Sequence, residues 1–250
     1  MVAGPRGGWH EVDLTPEAVH TVVLWSKDFT NLLRNAFGLR DLLAAYDQIY
    51  LHVTVTGLGG TAVEPGVPAC REAVAQLPEL AALAGHPWRV SVRFDPIVFW
   101  REGGEIRSNI GLFSEVAEAA AAAGVRDIRT SFAQWYGKAA RRAAGRQFGF
   151  VDPPDEEQRS RALELAAIAA ARRLALHACS QPLLIGVPGL RPSACIDGAV
   201  LESLHPRHEP VSRRKDRSQR ESCLCTESKD IGSYTQVCPH GCVYCYANPK

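Results

Sequence analysis

The chain has 250 residues, 46% of them hydrophobic and 22% charged, with a formal net charge of +1. That apolar content can fill one sizeable core, the size of a single α/β domain, and the near-neutral balance argues against a surface that seeks nucleic acid as a whole. No run of 18 apolar residues occurs, so no membrane span is expected; with no targeting segment in view and cysteines read as reduced thiols, the expected location is the cytoplasm.

In chain order, short runs rich in β-branched residues alternate with helical segments. Residues 19–25, 49–56, 89–94, 127–132 and 174–178 read as strands, whereas 31–46, 68–83, 108–123 and 155–173 carry apolar residues at helical spacing. Pro153-Pro-Asp155-Glu-Glu157 supplies a start signal for the last helix, and the Ala-rich stretch before it stops at Gly124 as at a C-cap. Such alternation predicts a mostly parallel sheet with right-handed crossovers. The expected fold is an incomplete (β/α)5–6 TIM-like barrel over residues 1–205, with a sixth strand around 229–234. Residues 206–220 are polar and aperiodic and read as a linker, so 206–250 becomes a linker and cysteine-rich tail closing the barrel mouth, one structural unit with the barrel. Five positive charges against one negative in Arg213–Arg220 fit either a solvated linker or a contact for phosphate.

In folds of this kind chemistry collects at the C-terminal ends of the strands. Those ends are polar: Trp25-Ser-Lys27-Asp28, Thr54 and Thr56 before Gly57-Leu-Gly-Gly60, Arg93 and Asp95, Ser131, then His177 and Cys179. Exposure to solvent explains any one of them. Five in succession predict a shared pocket.

Seven of the eight cysteines lie at or beyond position 179, and the last three form Cys238-Pro-His-Gly-Cys242-Val-Tyr-Cys245. Three thiolates on one short loop suit a cubane iron–sulfur cluster that leaves its fourth iron open. The competing reading is zinc, with His240 as a cramped fourth ligand. Cys179, Cys195, Cys223 and Cys225 number four, the ligand count of a closed [4Fe–4S] cluster or a structural zinc, and Cys70 stands apart. His177, two residues from Cys179, is left out of the set.

The C-x3-C-x2-C spacing with Tyr244 before the last cysteine resembles the signature of the radical S-adenosylmethionine superfamily, displaced here to the C-terminal end. The segments Val23-Leu-Trp-Ser-Lys27, Thr54-Val-Thr-Gly57, Arg93-Phe-Asp-Pro-Ile97, Ala194-Cys-Ile-Asp197 and the tail from Arg220 to Asn248 resemble the DUF1848 family. That family's opening Ser-Arg-Arg-Thr-Asp-Ile-Pro stretch has no counterpart in Met1-Val-Ala-Gly-Pro-Arg6. Arg93-Phe-Asp95-Pro is also similar to a barrel-strand segment of spore photoproduct lyase. The resemblance implies a catalytic [4Fe–4S] cluster on Cys238, Cys242 and Cys245, S-adenosylmethionine as cofactor, a flavodoxin- or ferredoxin-type electron donor, and a small-molecule or nucleic-acid substrate of unspecified identity. On the same footing Arg93, Asp95, Thr54, Thr56, Ser131 and Tyr244 are expected to contact the cofactor. Gly103-Gly104-Glu105 is like the segment that holds the methionine amino group in such enzymes, but its position after the third strand reads as a surface loop.

Overall fold

The computed structural model describes residues 2–3, 9–144, 149–233, 235 and 237–247. The chain opens with a two-residue pair, β1 (Val2–Ala3) and β2 (Trp9–His10), and then alternates: β3 (Val22–Ser26), α1 (Thr30–Leu33), α2 (Leu39–Leu43), β4 (Ile49–Thr54), α3 (Cys70–Ala75), α4 (Leu77–Leu83), β5 (Val90–Ile97). A hairpin of β6 (Phe99–Glu102) and β7 (Glu105–Ser108) interrupts before α5 (Phe113–Ala122), β8 (Asp127–Phe132), α6 (Gly137–Ala144), β9 (Gly149–Val151), α7 (Asp155–Ala171), β10 (Ala175–Cys179), β11 (Leu190–Ser193) and α8 (Gly198–Leu204).

Six strands pair in the order β11-β10-β8-β5-β4-β3, every neighbour parallel. Among the described residues β3 and β11 remain the edges, so the sheet is open and no closed barrel forms. The sixth strand is Leu190–Ser193; the described residues of the 229–234 segment form no strand, and Tyr234 lies outside them. No helix is long and apolar enough to cross a membrane among the described residues.

Strand periodicity divides the sheet into two chemically distinct faces. Ile49, Leu51, Val53, Val90, Val92, Phe94, Ile128 and Leu176 pack on one side against Leu77, Leu80, Phe113, Val116 and Leu165 from the helices. The opposite face carries Tyr50, His52 and Thr54, then Ser91, Arg93 and Asp95, then Asp127, Arg129 and Ser131, then His177 and Cys179. Parallel sheets normally bury apolar residues on both faces. Here one face is reserved for polar groups, and His52, Ser91 and Arg129 on it are nevertheless buried.

Two expected helices are broken for local reasons. The Asn35 side chain accepts from the Arg40 and Asp41 amides at 2.9 and 3.3 Å, so it starts α2 instead of continuing α1, and Phe37 and Gly38 beside it have positive φ. Pro78 has no N–H to give, which fits the first turn of a new helix, and α4 accordingly begins at Leu77. Gly103 and Gly104, with φ of 60° and 89°, form the two-residue turn of the β6–β7 hairpin. With β9 these strands make a small antiparallel sheet that the sequence reading did not include.

Candidate functional site

Two sets of cysteines lie at the same end of the parallel sheet, and each is held by a different part of the polar face. The three-cysteine loop rests on the segment after β4. The Gly66 amide donates to the His240 carbonyl at 3.0 Å, and the Val243 amide donates to the Val63 carbonyl at 3.0 Å. Val243 is fully buried with Leu58, Val63, Val98 and Trp100, and the Arg142 guanidinium donates to the Cys245 carbonyl. Gly66 is required by the close approach: a Cβ there would fall 2.1 Å from the Pro239 carbonyl oxygen.

Glu64 anchors this contact. It is 0% exposed, and its Oε1 accepts from Thr56 Oγ1 at 2.6 Å, from Lys27 Nζ at 3.1 Å, and from the Tyr244 hydroxyl. Its Oε2 is buried with no partner among the described residues. Lys27 also sits 5.5 Å from the centre of the Tyr244 ring. Burial pushes the Cys242 thiol up to about 12; Lys27 pulls it down, and Glu64, Cys245 and Cys238 add to the rise, so the three loop sulfurs are electrostatic neighbours. Burial first and Glu64 second raise the Tyr244 hydroxyl well above the ordinary tyrosine range.

The second set converges on Cys195, just past the end of β11. Its Sγ lies 3.5 Å from Cys179 Sγ at the end of β10. The Cys195 and Ile196 amides donate to Cys225 Sγ at 3.2 and 3.4 Å. Ser180 and Ser222 hydroxyls meet at 2.6 Å, which brings the segment after Cys179 to the segment before Cys223, and Cys223 acts electrostatically on Cys225. Residues 213–216 are not loose here: the Asp216 amide donates to the Cys225 carbonyl at 2.9 Å, and the Glu227 amide to the Arg214 carbonyl at 2.9 Å. The tail is therefore paired to the preceding polar segment as well as to the Ile196 carbonyl, which accepts from the Thr226 amide at 2.9 Å.

Three neighbouring strands point polar side chains at Cys195 and the two residues before it. His52 Nε2–H donates to its carbonyl at 2.8 Å; burial and the Arg129 charge hold that imidazole neutral, its pKa lowered to about 3. Arg93 Nη1 donates to Cys195 Sγ at 2.9 Å, and its other arm pairs with Asp95, which also accepts from Ser131. Arg129 donates to Ser193 Oγ at 3.1 Å and to the Ala194 carbonyl at 3.2 Å. Sulfur contacts from Cys179 and then Cys225, aided by Arg93, hold the Cys195 thiol well below its ordinary range, while Cys179 and Cys225 are raised by their contact with it. Four thiolates around a metal would carry net negative charge, and the buried Arg129 and half-buried Arg93 guanidiniums beside them are fitting counter-charges. Both donor sets suit a metal or cluster that binds thiolate sulfur.

The expected cofactor residues distribute unevenly. Thr56 and Tyr244 are bonded to Glu64, and Arg93, Asp95 and Ser131 form one chain leading to Cys195. Thr54 sits beside Arg93 in register at the end of β4. The sequence reading missed Glu64, His52 and Arg129; their only signal was period-2 alternation on β4 and β8, and the place of Glu64 just past a glycine-rich strand end. His177 shares the face of Cys179 but turns to Asp127, 3.3 Å away.

Asp47, His205 and Glu209 form the one group of three ligand types drawn within 4.8 Å among the described residues. Arg207 already supplies the cation, 2.6 Å from Asp47 and 3.0 Å from Glu209. His205 Nδ1 accepts from the Arg207 and Glu209 amides at 3.3 and 3.4 Å, which leaves the proton on Nε2, the atom a metal would need bare. The group caps the opposite end of the sheet as an ion pair.

No curated protein matches the chain. A family model described as a domain of unknown function matches residues 5–247, nearly the whole length and both cysteine sets, and the chain therefore belongs to the DUF1848 family.

Proposed function

We propose that the chain is an iron–sulfur protein of radical S-adenosylmethionine type, built on an incomplete TIM-like barrel. In this reading Cys238, Cys242 and Cys245 hold a catalytic [4Fe–4S] cluster, and Cys179, Cys195, Cys223 and Cys225 hold a second metal centre. The observation that carries it is the seating of a three-thiolate loop on buried Glu64 at the C-terminal ends of β3 and β4, where α/β sheets place their chemistry. Three protein ligands on a cubane leave one iron for an outside ligand. Cys238, Cys242 and Cys245 would hold the cluster, which when bound would supply the one-electron reduction of the sulfonium of S-adenosylmethionine, giving methionine and a 5′-deoxyadenosyl radical.

The residues around the loop divide the remaining work. Lys27 and Glu64 hold the loop and place opposite charges beside Cys242. The unpartnered Oε2 of Glu64 is an acceptor suited to an ammonium such as that of methionine. Thr54, Arg93, Asp95 and Ser131 continue the polar face from there to the second set, and Val243 with its apolar neighbours closes the loop's back against water. A flavodoxin- or ferredoxin-type protein is the proposed electron donor, and the substrate is a small molecule or a nucleic acid.

A specific observation keeps zinc as the second reading for the second set. A tetrahedral zinc at about 2.3 Å from each sulfur sets the sulfurs about 3.8 Å apart, close to the 3.5 Å between Cys179 and Cys195. Anaerobic reconstitution followed by iron, sulfide and zinc analysis separates the two readings. Iron and sulfide sufficient for two clusters support the proposal, and zinc without a visible chromophore overturns it.

A further inference from the structure

Arg93 is a cation that donates a hydrogen bond directly to a cysteine sulfur. The contact is unusual in its economy. A neutral thiol sulfur is a weak acceptor, yet a guanidinium whose side chain is 14% exposed directs one arm at Cys195 Sγ at 2.9 Å. Its other arm pairs with Asp95, which is 13% exposed and is held in turn by Ser131. On the adjacent strand Arg129, in register with Arg93, fixes the Ser193 side chain and the Ala194 carbonyl. One arginine therefore holds the backbone leading into Cys195, and the other addresses its sulfur.

We propose that Arg93 is a positioning residue that sets the reduction potential of the second cysteine centre, with Asp95 as its opposing weight. The proposal rests on the iron–sulfur reading of that centre. One-electron reduction adds a negative charge to the centre and none to its surroundings. A guanidinium donating to a ligand sulfur stabilises the reduced form more than the oxidised one, because its charge and its N–H dipole both face the added charge in a poorly solvated site. Asp95 places a carboxylate on the far side of the same guanidinium and acts with the opposite sign. Asp95 also acts electrostatically on Tyr244, which is bonded to Glu64 beside the three-cysteine loop. The Arg93–Asp95 pair thus lies between the two cysteine sets, where a residue can set the potential of one against the other.

The test is a dithionite redox titration of the anaerobically reconstituted full chain, followed by electron paramagnetic resonance, on wild type, Arg93→Met, Arg93→Lys and Asp95→Asn. Arg93→Met should move the second centre to a more negative potential, Asp95→Asn should move it to a more positive one, and Arg93→Lys should fall between wild type and Arg93→Met. The centre on Cys238, Cys242 and Cys245 should shift less in each variant. Opposite shifts from Arg93→Met and Asp95→Asn are what a purely structural ion pair would not give, since losing either partner would loosen the site alike. If Arg93→Met loses iron, Arg93→Lys and Asp95→Asn decide the sign. Two reducible centres in wild type with an unmoved second potential in the variants overturn the role of Arg93. A wild type with a single reducible centre, or with zinc in the second set, overturns the iron–sulfur reading of that set and the proposal with it.

Discussion

Tyr244 donates its hydroxyl to Glu64 across 180 positions of sequence, and this side-chain bond joins the cysteine loop to the segment that follows β4 beside the two backbone bonds made by Gly66 and Val63. Lys27 and Thr56 converge on the same carboxylate oxygen, so the loop is latched to the ends of two strands at one point. Tyr244→Phe should cost about 1.5–3 kcal/mol, the usual value of a hydrogen bond to a charged acceptor. Urea unfolding checks the stability, and limited proteolysis should show faster cleavage in the tail while the sheet stays protected. An unchanged midpoint and unchanged cleavage would remove the latch from the account.

Gly66→Ala tests the seating sterically rather than chemically. The added methyl meets the Pro239 carbonyl at 2.1 Å, and the phenyl-free, backbone-to-backbone contact gives it no flexible neighbour to push aside. The variant should fold, keep the metal of the second set, and lose iron from the three-cysteine loop. Iron content equal to wild type would mean that the loop binds its cluster away from this seat.

Cys242→Ala, Cys238→Ala and Cys245→Ala should each abolish formation of 5′-deoxyadenosine while leaving the circular dichroism spectrum unchanged. Cys70→Ser is the control. Burial, with Glu115 beside it, raises that thiol to about 11, and it packs against the apolar core. Its metal content should match wild type, and a loss of iron would show an unrecognised ligand.

The expected strands over 49–56, 89–94 and 127–132 were legible because apolar core residues alternate with polar ones, those over 19–25 and 174–178 were legible as short apolar runs, and the cysteine sets were legible from number and spacing. The sixth strand was not. Leu190-Arg-Pro-Ser193 contains Pro192 and has no alternation, and it forms only because β11 is an edge, where a missing donor is tolerated. The long helix expected over 31–46 failed because a side-chain cap at Asn35 competes locally with helix continuation, a contest that apolar spacing does not register. Glu64 was missed for a different reason: its place past a glycine-rich strand end is a weak signal, and its importance comes from Tyr244 at the far end of the chain, a meeting that no local pattern encodes.

His52 gives the fold a pH dependence with a definite sign. The folded imidazole is held neutral down to about pH 3, whereas the unfolded one titrates near about 6.5. Below the unfolded value the unfolded chain binds a proton that the folded chain does not, so this contribution is complete above about pH 6.5 and is lost as the pH falls toward 3. Between about pH 7 and pH 5 it amounts to about 2 kcal/mol. Urea titrations of wild type and His52→Gln should show the wild type losing that much more over the interval. Parallel losses would place His52 in contact with water.

The most direct measurement incubates the reduced, anaerobically reconstituted chain with S-adenosylmethionine and assays 5′-deoxyadenosine against time. The account predicts 5′-deoxyadenosine and methionine in equal amounts, dependent on reductant and absent in Cys242→Ala. Zinc-loaded protein, or iron-loaded protein that leaves S-adenosylmethionine intact under reduction, would contradict it.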